Sequence, residues 1–183
     1  SKFVMDEFGA KIKNTVAGEG VEVCQVWMDD NAPTGIFFRQ RLENGESRNF
    51  YYRKGSAAST MTPDLIDLNY LKSGKILHIS GITPGLSKEA EETTEYAMAA
   101  AKESGLLVSF DPNLRLKVWP LAQARRPTNR PSKYAAIVFP GQAEGRLLYG
   151  TEEPDAIARQ MKAYGDGTVV VKLREQGGIG SET

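Results

Sequence analysis

Four short apolar runs constrain this chain more than anything else in it: KILHIS (75–80), LLVSF (106–110), AAIVFP (135–140) and TVVVKL (168–173). Each has the length and near-continuous apolar character of a buried strand. Helical stretches alternate with them. SKEAEETTEYAMAAAKESG has Ser87 to cap its start and Gly105 to stop it, and AEGRLLYG and EPDAIARQMKAYG follow the third run. Strands that alternate with helices in this way predict an α/β fold, a mostly parallel sheet flanked by helices on both faces.

The first third has a different rhythm. Phe8, Ile12 and Val16 recur at helical spacing after Asp6 and Glu7, and Gly18 and Gly20 end the pattern. Val21, Val23 and Val26 predict a short strand. TGIFFRQRL and SRNFYYR flank Glu43-Asn44-Gly45-Glu46, whose Asn-Gly pair predicts a hairpin. This gives a small antiparallel flap over 33–53, set on a core of residues 1–32 and 54–183. In RRPTNRPSKY (125–134), Pro127 and Pro131 interrupt an expected crossover helix. A short helix over 119–126 followed by a loop is predicted there.

Composition narrows the function. Lys and Arg number 23 against 23 Asp and Glu, so the chain lacks the basic excess of nucleic-acid or anionic-membrane binders. No apolar run approaches the ~20 residues of a membrane span. Cys24 is the single cysteine, which excludes an internal disulfide and, with no signal-like start, leads us to expect a cytoplasmic protein.

Ligands of open parallel sheets sit beyond the carboxyl ends of the strands. Those ends read SGITPG (80–85), DPNLR (111–115), PGQAEG (140–145) and KLREQGG (172–178). Arg115 could clamp a carboxylate or phosphate with its planar fork, or the segment could be an Asx-type turn with Arg115 on a surface acid. In FYYRKGSAAS, alternation puts Tyr51 and Arg53 on one face and Tyr52 on the other. That strand is either a cover for an anionic, hydroxylated ligand or an ordinary exposed strand. The KLREQGG turn could offer backbone amides to a phosphate, although no GxxxxGK[ST] loop occurs. His78 and Cys24 read as core residues, and Glu89, Glu91, Glu92 and Glu95 as a solvated helix face.

Taken together, DEFGAKIKNTVAGEGVEV, FYYRKGSAAS, LHISGITPGLS, FDPNLRLKVW, EGRLLYG and VVVKL resemble the ribokinase-like (pfkB) carbohydrate kinases, in particular their 2-keto-3-deoxygluconate kinase branch. The resemblance implies a ribokinase-like fold with a β lid, and transfer of a phosphoryl group from ATP, with Mg2+, to a keto-deoxy sugar acid. It implies substrate contacts at Tyr51, Tyr52, Arg53 and Arg115, with Phe37 where a tyrosine could stand. It places Asn113, Leu114, Arg115, Lys172, Leu173, Arg174, Glu175, Gln176 and Gly177 along the ATP site, and Glu144 near Mg2+ through water. It further implies a homo-oligomer formed through the lid.

The sequence departs from that pattern in places. The early Gly-Gly substrate segment and the G-A-G-D segment, which supplies the anion hole and the catalytic base, do not occur in these 183 residues. Gly141 stands where the family has asparagine, three before Glu144, and Arg174 where a glycine would ease the nucleotide turn. We therefore expect the chain to be the middle portion of a sugar-acid kinase, with an exposed sheet edge where the first strands would pair. The alternatives are a kinase for another sugar, of ribose or fructose type, and a non-catalytic fragment that binds sugar or nucleotide.

Overall fold

The computed structural model describes residues 1–114 and 130–181, and the chain divides into two compact units, Ser1–Thr62 and Pro63–Thr183. The helix expected over 119–126, together with Pro127 and Arg115, lies outside the described residues.

In the first unit, strand β1 (Lys2–Val4) leads into helix α1 (Glu7–Gly18). Asp6 caps this helix by accepting from the Gly9 N–H at 2.7 Å. The same carboxylate takes the Thr34 hydroxyl at 3.2 Å, and Thr34 accepts from the Val4 N–H at 3.2 Å. One aspartate thus ties the helix start to the entry of the hairpin. Phe8 is 60% exposed and Val16 also faces solvent, so the apolar stripe read from the sequence is real but uncovered in the described chain.

The strand expected at Val21, Val23 and Val26 forms later, as β2 (Trp27–Asp29), parallel to β1. A strand exists only where it finds a ladder partner, and β1 offers three residues opposite Trp27, Met28 and Asp29. The preceding residues make a turn instead, closed by Val26 N–H to the Val23 carbonyl at 3.0 Å. Cys24 therefore sits exposed in that turn rather than in the core. The hairpin forms as expected: β3 (Ile36–Arg41) pairs antiparallel with β4 (Ser47–Tyr52), placing Phe37 opposite Tyr51 and Ile36 opposite Tyr52.

The second unit holds helix α2 (Leu68–Ser73), strand β5 (Ile76–Ser80), helix α3 (Lys88–Glu103), strands β6 (Leu107–Asp111) and β7 (Ile137–Val138), helices α4 (Gln142–Tyr149) and α5 (Pro154–Lys162), and strands β8 (Thr168–Lys172) and β9 (Gly178–Ser181). Its sheet runs β5-β6-β7-β8-β9, parallel through β8, with β9 folding back antiparallel. Ser87 caps α3 by accepting from the Ala90 N–H at 3.0 Å, and Gly105 ends it at φ 79°. Val108, Phe110, Val138, Val169 and Val171 pack with Met98, Ile157 and Met161 into one fully buried core.

Among the described residues of this unit, the helices that pack on the sheet lie against one face. Strand order follows chain order, and right-handed crossovers that all step the same way put their helices on one side. On the other side of this sheet Ile76 and Leu107 stay more than half exposed. His78 shares that side, so it is exposed rather than core, with Nδ1 3.0 Å from the Ser109 hydroxyl. Residues 130–132, read as loop, are helical, because the fixed φ of Pro131 suits a helix. Arg130 there meets Glu95 at 3.0 Å and Glu91 at 3.9 Å, which draws those two carboxylates out of the solvated face assigned to them.

Lys2 and Asp29 lock β1 to β2 with an ion pair of 2.5 Å. The ammonium, aided by the Asn31 N–H, holds the Asp29 carboxyl down to about 2. A depressed carboxyl contributes stability that is fully present above its ordinary value of 3.8 and lost as pH falls toward about 2. Denaturant midpoints measured across this window should therefore show Lys2→Met less stable than the parent above about pH 4 and flatter below it, with the gap closing as the parent loses stability toward pH 2.

Candidate nucleotide rim and lid

The acid and amide at the end of β6 build a turn. Asp111 Oδ1 accepts from the Asn113 N–H at 3.0 Å, which is an Asx turn, and Asn113 takes φ 41°, a region its amide side chain tolerates. The Asn113 amide donates to the Ser80 hydroxyl at 3.2 Å, binding the ends of β5 and β6 together. Chain packing is tight here: a Cβ on Gly81 would lie 2.0 Å from the Pro112 carbonyl oxygen, so only glycine fits.

Asp111 has a second task. The Lys172 ammonium, at the end of β8, donates to both of its carboxylate oxygens at 2.7 Å. The pair passes across the end of the short strand β7, where Gly141 bridges to Lys172. The rim thus carries a fixed ammonium in the middle of the sheet.

Glu144 is nearly buried, with 9% of its surface exposed. One oxygen accepts from the Leu114 N–H at 2.5 Å and the other from the Gly141 N–H at 2.6 Å. It therefore clamps the exit of β6 onto the start of α4. Burial pushes its carboxyl above the ordinary value, and the two N–H groups and Lys172 pull the other way. Leu114 itself is buried against Leu148 and Tyr149. Asn113, Leu114 and Lys172, implied for the ATP site, and Glu144, implied near Mg2+, are thereby gathered at one place.

The turn after β8 completes the rim. Leu173 enters it, residues Arg174–Gln176 form a single helical turn, and Gly177 leaves it at φ 86°. Arg174 stands at φ 56°, a conformation that glycine adopts freely and arginine does not. This turn and α4 line a cleft of about 550 Å³. Arg174, Glu175 and Gln176, which the resemblance puts along the ATP site, line this cleft with Gln142, Arg146 and Glu152, which sequence reading did not single out because a helix face does not announce which neighbour it opens toward.

The lid is described by itself. Phe37 and Tyr51 face each other with ring centroids 5.9 Å apart. The Arg53 guanidinium lies over both, 5.5 Å from Phe37 and 5.2 Å from Tyr51. Tyr52 is on the opposite face, edge-on to Phe38 at 5.8 Å. The alternation read from sequence holds, and the stacking gives Phe37 a role besides any substrate contact.

Comparison with known proteins decides the kinship. The sequence pattern of the pfkB family carbohydrate kinases matches residues 4–182. The chain belongs to the pfkB family. Among its pfkB relatives, the 2-dehydro-3-deoxygluconokinase of Bacillus subtilis (strain 168) is 36% identical over 179 residues, 97% of this chain and 55% of that protein. The 2-dehydro-3-deoxygluconokinase of Thermoproteus tenax is 38% identical over 176 residues, 94% of this chain and 53% of that protein. The crystal structure of the PfkB protein from Polaromonas sp. JS666 superposes with a TM-score of 0.90 at 34% identity, covering 98% of this chain and 61% of that one. The chain spans about half the length of the curated relatives it matches. The fold is ribokinase-like, as the resemblance implied.

Replacing Glu144 by alanine leaves the buried Leu114 N–H without its acceptor and should cost about 1–3 kcal/mol. Since the folded protein holds this proton more tightly than the unfolded chain, the carboxyl's own contribution is fully present below 4.5 and declines as pH rises through the folded value. Unfolding of parent and Glu144→Ala from pH 4 to 8 checks both the loss and its slope.

Proposed function

We propose that this protein transfers the γ-phosphoryl group of ATP to a hydroxyl of a keto-deoxy sugar acid of the 2-keto-3-deoxygluconate type. The observation that carries the reading is Arg53 fixed over two aromatic rings of the lid. A guanidinium already ordered by its neighbours loses less entropy when it takes up a carboxylate, and a neutral sugar has no use for it. Two curated relatives named for a deoxygluconate substrate support the same choice.

In this scheme Tyr51 and Arg53 cover the sugar acid, Tyr52 lies on the opposite face of the lid and does not, and Arg115 takes a carboxylate or a phosphate. Lys172, oriented by Asp111, supplies positive charge at the rim where phosphate oxygens gather. The Leu173 to Gly177 turn borders the donor. Mg2+ would arrive on the donor's phosphates, since it prefers one or two carboxylates plus phosphate and water. Among the described residues no three His, Cys, Asp or Glu side chains cluster to cage it, and both oxygens of Glu144 already hold main-chain N–H groups.

The test is ADP release by the full-length polypeptide that carries these residues, with ATP and a panel of 2-keto-3-deoxygluconate, fructose and ribose. The sugar acid should give the highest kcat/KM, and Arg53→Ala should raise its KM about tenfold or more while fructose turnover barely changes. A neutral sugar that wins the panel overturns the choice of substrate.

We also propose that the lid pairs with a second copy through its other face, where Phe38 and Tyr52 are about 60% exposed. Light scattering should show a dimer that Phe38→Ser with Tyr52→Ser converts to monomer; a parent monomer at high concentration removes the idea.

A further inference from the structure

We propose that Thr34 is a positioning residue for substrate recognition: its buried hydroxyl anchors the root of the lid and so sets where Arg53 aims. This rests on the substrate reading above and deepens it.

The lid joins the rest of its unit through two legs, residues 33–35 leading into β3 and residues 53–57 leading out of β4. The legs are bonded to each other, the Ala57 N–H donating to the Pro33 carbonyl at 2.8 Å. The second leg is folded tightly, with the Ser56 N–H on the Arg53 carbonyl at 3.1 Å. Gly35 lies against it: a Cβ there would stand 3.2 Å from the Ser56 Cβ and 3.4 Å from Arg53 Cγ. The stem of Arg53 therefore starts inside the root itself.

Thr34 ties that root to the corner between β1 and α1. It is 6% exposed, and its hydroxyl is used in both senses. The O–H donates to Asp6 Oδ1 at 3.2 Å, and the oxygen accepts from the Val4 N–H at 3.2 Å. Asp6 Oδ1 is itself held by the Gly9 N–H at 2.7 Å, so the threonine bonds to a fixed point. The second leg has a further tie to β1 just beyond it, from the Lys2 ammonium to the Thr60 hydroxyl at 2.9 Å, but that bond is exposed. Water competes for an exposed bond more than for one out of its reach, so Thr34 is the stronger anchor.

The rings of Phe37 and Tyr51 fix the Arg53 guanidinium relative to the hairpin, at 5.5 and 5.2 Å. They do nothing to fix the hairpin itself. That task falls to the root, where a misplacement of ~1 Å is enough to spoil a reacting geometry. Without the Thr34 hydroxyl the lid spends part of its time with Arg53 aimed elsewhere, and apparent affinity falls by that fraction.

Steady-state ADP release by the full-length polypeptide, with ATP and 2-keto-3-deoxygluconate, tests this. Thr34→Val keeps the shape of the side chain and removes the hydroxyl. It should raise KM for the sugar acid about fivefold, the effect of one hydrogen bond, with kcat and the KM for ATP within about twofold of the parent. Thr34→Ser, which keeps the hydroxyl, should recover most of the loss. In an Arg53→Ala background, Thr34→Val should add almost nothing, because both changes remove the same interaction. Gly35→Ala crowds Ser56 and Arg53 but leaves the Thr34 bonds in place; it should raise the same KM, and it carries the test if Thr34→Val does not fold. If Thr34→Val matches the parent in KM, or its effect adds in full to that of Arg53→Ala, the hydroxyl only holds the fold. The inference then falls and the substrate reading stands. If the parent does not turn over the sugar acid at all, the substrate reading falls and takes this inference with it.

Discussion

The rim of the larger sheet depends on one carboxylate. Asp111 closes the turn that reverses the chain after β6 and at the same time holds Lys172 from β8. Without the turn, Asn113 would not reach Ser80, and Leu114 would not present its N–H to Glu144. Without the ammonium, a partly buried carboxylate would keep only the Asn113 N–H of these two partners. The two tasks are compatible because an Asx turn uses one oxygen from the side and leaves lone pairs for a bidentate partner. The Asp-Pro-Asn sequence after an apolar strand is thus the local cost of bringing two strand ends and a helix start to one place.

Much of this was legible beforehand, for identifiable reasons. Ser87, Gly105 and the Asn44-Gly45 pair act through contacts a few residues away, so local sequence determines them. The flap alternation follows from the two-residue period of a strand. Asp111 stands at a polar strand end, but its partner Lys172 is 61 residues away, and no local rule pairs them. His78 misled because an apolar strand does not say which of its faces a helix will cover. Val21, Val23 and Val26 misled because strand propensity is worth little unless a partner strand lies opposite, and β1 meets the chain only from Trp27 onward.

The family resemblance and the physical reading supply different things. The resemblance puts Asn113, Leu114 and Lys172 along the ATP site and Glu144 near Mg2+, and the geometry explains how each is held. Where the sequence departs from the family, the geometry is most informative. At Gly141, a Cβ would meet the Glu144 carboxylate at 3.4 Å and Lys172 Cε at 3.9 Å, both ordinary contacts, so space did not demand glycine there. At Arg174, the backbone keeps the glycine conformation although the glycine has gone.

The strand order carries a consequence for how the second unit is made. In β5-β6-β7-β8-β9 every strand lies beside its successor in the chain. Each new pairing closes only the loop just synthesised and never waits for a distant segment. The sheet can therefore grow strand by strand in the order the residues leave the ribosome, with α3 and then α5 sealing the same face as they emerge. For a mostly parallel sheet, which usually pays heavily for long-range closure, this is the low-contact-order way to assemble.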